Sequence, residues 1–207
     1  AMPSMAYSGH IMTENAFVLF FMIAVWAIAV AVERPTILNQ ALVIVAFVVA
    51  FETRAQAAVL LFSLPAIIVL HVFAEERATG AFTWAGCGRR LIRFWPFAAI
   101  AALGILAIVA RTLLTDWHWN QLLQAYSTTA DGQYTKENVA RYFLWHLGEA
   151  TFALGVIPVA AFLVLVGMGI LNRTRSAAER AYLSTAIIVI PLVILQVAVF
   201  TSYWSQR

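Results

Sequence analysis

The chain alternates long apolar runs with short polar segments, and most of the runs have the length of a membrane-spanning helix. Crossing the hydrocarbon layer takes about 20 apolar residues as helix, because lipid offers no partner to a backbone N–H or C=O group. We therefore predict an all-α fold, a polytopic transmembrane helix bundle with about six spanning helices. The predicted spans cover residues 16–32, 37–51, 57–74, 94–110, 150–171 and 181–204.

Polar residues mark the ends of several predicted helices. Thr13 is placed to cap the first helix, and Glu33, Arg34 and Pro35 close it. Asn39 and Gln40 near the start of the second span indicate a face that is buried against neighbouring helices.

Two segments between the spans are more polar. Residues 75–93 contain glycines and arginines among aromatic residues, which is typical of the membrane interface. Residues 115–145 are predicted to form an extracytoplasmic loop with short helices, one of them capped by Thr135 and continuing into the fifth span.

The basic residues indicate the orientation, because cytoplasmic loops are enriched in arginine and lysine. Alternating spans place Arg34, Arg77, Arg89, Arg90, Arg93, Arg173, Arg175 and Arg180 on one side, and Arg54, Arg111, Lys136, Arg141 and Arg207 on the other. The first group is larger and contains all of the short arginine-rich loops. We therefore assign its side to the cytoplasm.

The composition excludes several classes of protein. Apolar residues make up 63% of the chain and charged residues 11%, which is too apolar for a soluble globular domain. The arginines lie between apolar runs and form no stripe that would bind nucleic acid. Cys87 is the single cysteine, so the chain has neither an internal disulfide nor a thiolate metal site.

Both ends of the sequence look internal. The first residues contain neither an initiator methionine at position 1 nor a signal-peptide pattern, and the last apolar run stops as it reaches an interface. We expect residues 1–207 to be the transmembrane region of a larger protein, which works with the remainder of its parent chain or with a partner membrane subunit.

Ionisable residues at helix ends on the outer side are the first candidates for chemistry, since charges at membrane depth are costly. Glu14, Glu52 and Arg54 have this placement. Glu14 either caps its helix, or it acts as a base or orients a metal or an acceptor hydroxyl. Arg54 is either an interfacial anchor or a ligand for a lipid phosphate.

Two short motifs carry a resemblance to a known family. The run Tyr7 to Phe21 contains Thr13-Glu14-Asn15, and the second span ends in Thr53-Arg54-Ala55-Gln56. Residues 5–62 resemble the core of the GT-C superfamily of membrane glycosyltransferases, in which an acidic residue opens one helix and a T-R-x-Q pattern ends a later segment. The resemblance implies transfer of a sugar from a polyprenyl-phosphate donor at the outer face of a bacterial plasma membrane. It implies Glu14 as catalytic residue and Arg54, His10, Tyr7 and Glu52 as substrate-binding residues.

One feature departs from the family pattern. The superfamily's catalytic aspartate lies in the first outer loop, before the matched segment, and this chain has no aspartate before Asp116. The resemblance therefore implies that this carboxylate lies on an upstream piece, and that residues 1–207 alone are inactive.

The outer loop supplies further candidates. Trp117 and Trp119 either belong to an interface belt or stack on sugar rings. Asp116 with His118 has the composition of a metal pair and leaves a divalent metal ion open as a cofactor, although a two-residue spacing in a loop does not by itself specify a metal site. His146 and Glu149 lie one helical turn apart, which favours a hydrogen bond over a metal site.

Two other classes of function remain open. A transporter would carry charges in mid-span and broken helices, whereas the fifth and sixth spans contain no charged residue. Nothing in the sequence contradicts a non-catalytic scaffold or assembly subunit.

Overall fold

The computed structural model describes residues 2–114, 135–154, 164, 166 and 176–204, with the backbone alone described for residues 2–15, 55, 150, 152–154 and 200–204. Every regular element in those ranges is helical, which confirms the predicted all-α class. The helices are α1 (Met2–Glu33), α2 (Ile37–Thr53), α3 (Ala58–Ala78), α4 (Trp84–Leu91), α5 (Trp95–Leu114), α6 (Lys136–Leu154) and α7 (Ala177–Trp204). Short 3₁₀ turns, Ala55–Ala57 and Ile92–Phe94, precede α3 and α5.

The chain divides into two compact units. The first comprises Ala1–Phe94 and Met168–Val189, and the second comprises Trp95–Gly167 and Ile190–Arg207. The first unit contains α1 to α4 and the beginning of α7. The second contains α5, α6 and the end of α7.

Helices α1 and α2 pack together as a hairpin in the first unit. As predicted, α1 ends at Glu33, and Thr36 caps α2 by accepting a hydrogen bond from the Asn39 backbone N–H at 3.2 Å. Small residues on the facing sides let the backbones approach closely. They include Ala24, Ala27, Ala31, Ala46 and Ala50, all buried.

The predicted cap at Thr13 is wrong, because α1 begins at Met2 and continues through this position. Pro3 lies in the first turn, where a missing N–H costs no hydrogen bond. No proline follows it before Pro35, so the chain does not leave the helical path ahead of Thr13. Glu14 consequently lies in the helix interior, and the interpretation of Glu14 as a capping residue fails with that of Thr13.

A tight reversal connects α3 to α4. Gly80 has a φ of 83°, a left-handed conformation that follows the last helical residues and suits glycine. Thr83 then caps α4 by accepting a hydrogen bond from the Gly86 N–H at 3.0 Å. The reversal brings α4 back onto the end of α3.

Capping side chains also start α6 and α7. Thr135 accepts a hydrogen bond from the Asn138 N–H at 3.4 Å, which confirms the predicted helix start. Ser176 and Glu179 form a reciprocal capping box, with bonds of 3.1 and 3.2 Å between each side chain and the other's backbone N–H.

Within the described residues, four helical stretches are long and apolar enough to cross a membrane: Ala16–Glu33, Ala58–Ala78, Trp84–Leu114 and Ala177–Val199. The third stretch joins α4, the 3₁₀ turn and α5. Helix α2 is apolar but shorter, at 17 residues. Five of the six predicted spans thus coincide with helices. The predicted span 150–171 lies mostly outside the described residues.

An ion pair between distant parts of the sequence constrains the topology. Arg180, at the start of α7, contacts Glu75, near the end of α3, with 2.6 Å between Nε and Oε1. Both ends therefore lie on the same side of the membrane, which requires an even number of crossings between them. This agrees with the predicted orientation, which puts both on the arginine-rich side.

Single cysteines introduced into a Cys87→Ser chain test this topology. We expect cysteines at positions 34 and 89 to react with an impermeant maleimide from one side of sealed vesicles, and a cysteine at position 52 to react from the other. Labelling of positions 34 and 52 from the same side would contradict the hairpin.

Candidate functional site

The motif residues Glu14 and Arg54 occupy equivalent levels of the α1–α2 hairpin. Glu14 lies 19 positions before the end of α1, and Arg54 lies 17 positions after the start of α2. At about 1.5 Å of rise per residue, both positions are about 26 to 29 Å from the turn that joins the helices. The backbone therefore brings the two motifs to one level, at the end of α2 that lies away from the turn, while α1 continues beyond Glu14 to Met2.

The break between α2 and α3 fixes the backbone at Arg54. Arg54 is extended, with φ −158° and ψ 131°, while its N–H still donates to the Ala50 carbonyl at 3.0 Å. Its own carbonyl accepts from the Ala57 N–H at 3.0 Å, which closes the 3₁₀ turn. The half-buried Arg54 thus projects from a defined corner, with Glu52 exposed beside it.

The remaining predicted site residues fall into two groups. Tyr7, His10 and Glu14 follow a three-four spacing, so their positions share one face of α1, although their side chains lie outside the described part of the structure. Trp117 and Trp119 lie in residues 115–134, which are also outside it.

The opposite end of the first unit contains a cluster of four charges. Arg90 contacts Glu76 with 2.9 Å between Nε and Oε2, and its Nη1 lies 3.7 Å from Glu75 Oε2. Arg180 completes the cluster through its contact with Glu75. The two carboxylates and two guanidiniums balance one another and connect α3, α4 and α7.

Glu76 is the most enclosed member, with its side chain 8% exposed. Its Oε1 accepts a hydrogen bond from the Thr83 hydroxyl at 2.9 Å, while Oε2 faces Arg90. Thr83 in turn accepts from the Gly86 N–H. A methyl group added at Gly86 would overlap the Glu76 carboxylate, so this carboxylate would have to leave its position between Thr83 and Arg90.

Two buried polar side chains lie near this end of the unit. The Gln40 amide donates to the carbonyls of Pro35 at 3.3 Å and Arg93 at 3.0 Å, which links the start of α2 to the turn after α4. This confirms the burial predicted for Gln40. His71, one turn before Glu75, is also buried, and its Nδ1 has no hydrogen-bond partner among the described residues.

Helix α6 contains a smaller polar group. Glu149 accepts a hydrogen bond from the Trp145 indole N–H at 2.7 Å and contacts His146 Nδ1 at 2.9 Å. The hydrogen bond from Trp145, and to a smaller extent the one with His146, hold the pKa of the Glu149 carboxyl below its ordinary value. The predicted hydrogen bond between His146 and Glu149 is therefore present, and all three partners belong to one helix.

The described residues contain no group of three histidine, cysteine or acidic side chains that could hold a metal ion. Comparisons with protein-family models, curated proteins and solved structures gave no match for this chain. The GT-C expectation therefore rests on the two motifs and on the placement of their backbone.

Sequence reasoning missed the charge cluster because it treated the residues as separate helix ends. The available signal was the pair Glu75-Glu76 on the side that carries most of the arginines, with Gly86 and Arg90 one helical turn apart. Opposite charges at the same depth in the membrane are expected to pair, because a buried charge without a partner is strongly destabilising.

Two alanine substitutions in α4 test the contact between Gly86 and Glu76. Gly86→Ala should lower the free energy of unfolding in detergent by about 1 to 3 kcal/mol, because the new methyl group displaces the buried carboxylate. Gly88→Ala is the matched control. Nothing lies near its added Cβ, so the higher helix propensity of alanine should leave stability unchanged or raise it by up to about 1 kcal/mol.

Equal thermal stability of the two variants would contradict close packing of α4 on Glu76.

Proposed function

We propose that this chain belongs to a membrane glycosyltransferase of the GT-C class, located in the plasma membrane of a bacterium. The enzyme moves a sugar from a polyprenyl-phosphate donor to an acceptor at the extracytoplasmic face. The observation that carries the proposal is the hairpin register, which brings Thr13-Glu14-Asn15 and Thr53-Arg54-Ala55-Gln56 to one end. That end is the extracytoplasmic one by the arginine distribution.

The chemistry requires a group that removes a proton and a group that binds the phosphate. The acceptor hydroxyl loses its proton to a carboxylate and forms a bond to the anomeric carbon, while the bond from that carbon to the phosphate oxygen breaks. The phosphate leaves with the electron pair of that bond. We assign the removal of the proton to Glu14, and Arg54 supplies the charge that stabilises the leaving phosphate.

The local structure favours Arg54 for the phosphate role. A guanidinium presents several donors in one plane, which matches phosphate oxygens better than an ammonium group does. The extended backbone at the corner between α2 and the 3₁₀ turn fixes where this side chain leaves the main chain. Glu52, two residues before Arg54 and exposed, is available to the acceptor or to the sugar hydroxyls.

Tyr7 and His10 are proposed to contact the sugar from the α1 face that they share with Glu14. Trp117 and Trp119 are proposed to stack on the sugar rings of the donor or acceptor. The catalytic aspartate of the superfamily is proposed to come from an upstream segment of the parent protein, or from a partner subunit.

Arginine substitutions at the two ends of the hairpin test the proposal in the full-length parent protein. We expect Arg54→Ala to lower the rate of transfer from a radiolabelled polyprenyl-phosphate sugar by about 10²-fold or more, as removal of one preorganised charge-stabilising donor does elsewhere. Arg54→Lys should retain part of the activity. Glu14→Gln should reduce the rate without abolishing donor binding.

Arg34→Ala is the matched control. Arg34 lies at the other end of the same hairpin, exposed and paired with Glu33 at 3.2 Å, so its loss should leave the rate unchanged. Normal transfer by a folded Arg54→Ala protein would overturn the proposal. Accumulation of the intact sugar lipid or its sugar inside vesicles without transfer would replace it with a transporter.

A further inference from the structure

The segment around α4 presents two different exposed faces. We define the α4 platform as residues 83–94. Gly86 and Phe94 are buried in the first unit and Arg90 turns toward Glu76, whereas Trp84 and Leu91 are exposed. Trp84 retains 79% of its accessible surface.

Arg89 and Arg93 form the second exposed face, four residues apart. Arg90 is used in the contacts with Glu75 and Glu76. By contrast, the side chains of Arg89 and Arg93 have no ion pair or hydrogen bond within the described part of the chain. Since Arg90 and Arg180 already balance the two carboxylates, the platform has an excess of positive charge.

The platform is held in place from both ends. Thr83 and Arg90 bind the Glu76 carboxylate, and the Gln40 amide binds the Arg93 carbonyl. The backbone that carries Arg89 and Arg93 is therefore ordered before any ligand arrives. A preformed site loses less conformational entropy on binding than a flexible segment does.

The chemistry of the two faces points to a lipid headgroup. Exposed tryptophans favour the level of the headgroups, and arginine forks bind phosphate oxygens. The apolar run of α5 begins at Trp95, so the platform joins directly to a membrane-crossing helix. A soluble polyanion would use the arginines and leave Trp84 in water.

We propose that the α4 platform binds the phosphate of an anionic phospholipid in the adjacent leaflet through Arg89 and Arg93, with Trp84 at the headgroup level. Arg90 has a different role, since it positions the platform through Glu76. This lipid site is at the opposite end of the hairpin from Arg54, and it does not depend on the sugar-transfer proposal.

Titration of the purified chain with phosphatidylglycerol and with phosphatidylcholine of the same acyl chains, followed by native mass spectrometry, tests the site. The wild-type protein should prefer phosphatidylglycerol. Arg89→Gln with Arg93→Gln should weaken phosphatidylglycerol binding by about thirtyfold, the contribution of two arginines near an anionic surface. It should weaken phosphatidylcholine binding by a smaller factor, because the choline group cancels the charge of the phosphate. Arg89→Lys with Arg93→Lys should lose less, because the charge remains.

Arg34→Gln with Arg141→Gln is the matched double control. It removes the same amount of charge from two exposed positions outside the platform, one directly after α1 and one in α6. It should bind phosphatidylglycerol as the wild-type protein does. An equal loss in this control, or unchanged binding in the Arg89 and Arg93 double variant, would overturn the site.

Soluble glycerol phosphate separates a lipid from a free phosphate. If it binds with the same dependence on Arg89 and Arg93, and as tightly as the lipid does, the assignment to a membrane lipid is overturned. Thermal unfolding distinguishes the roles of the arginines, because Arg90→Gln should lower the unfolding temperature and the Arg89 and Arg93 double variant should not.

Discussion

The first unit depends on a pairing of charges in apolar surroundings. Glu75 and Glu76 end α3 with partly or largely buried carboxylates, and each meets a guanidinium that comes from another helix. A carboxylate held away from water without a partner costs several kcal/mol, so the positions of Arg90 and Arg180 are restricted to those that cancel it. The balance of charge thus determines how α4 and the start of α7 pack on α3.

The two ends of the α1–α2 hairpin have different character. At the turn end, capping bonds, the Gln40 amide and the charge cluster tie the first unit together. At the other end, α2 stops in an extended residue, Arg54, before the 3₁₀ turn that leads into α3. The proposed sugar transfer uses the second end, while the proposed lipid site uses the exposed arginines that the charge cluster leaves unpaired. One set of helices can therefore be anchored on one side and present chemistry on the other.

Hydrophobic runs predicted the helices well because the length of a membrane crossing is a simple physical requirement. The ends of α2 and the start of α6 at Thr135 also followed from local signals. The predicted cap at Thr13 was wrong because the residue type alone does not distinguish a threonine in a helix interior from one at a cap. The two differ in the conformation of the preceding chain. The placement of Glu14 and Arg54 at one end followed from counting helical residues. The contact between Glu76, Thr83 and Gly86 did not, because it depends on a reversal at Gly80 that the sequence marks only as flexible.

A double-mutant cycle on Glu75 and Arg180 measures whether this ion pair couples the helices that it joins. These residues are 105 positions apart and join α3 to α7. Unfolding of the wild-type protein, Glu75→Gln, Arg180→Gln and the double variant should give a coupling energy of about 1 to 3 kcal/mol, with the double variant more stable than the sum of the single losses predicts. Additive losses, within about 0.5 kcal/mol, would show that the charges do not hold these helices together and would contradict the account.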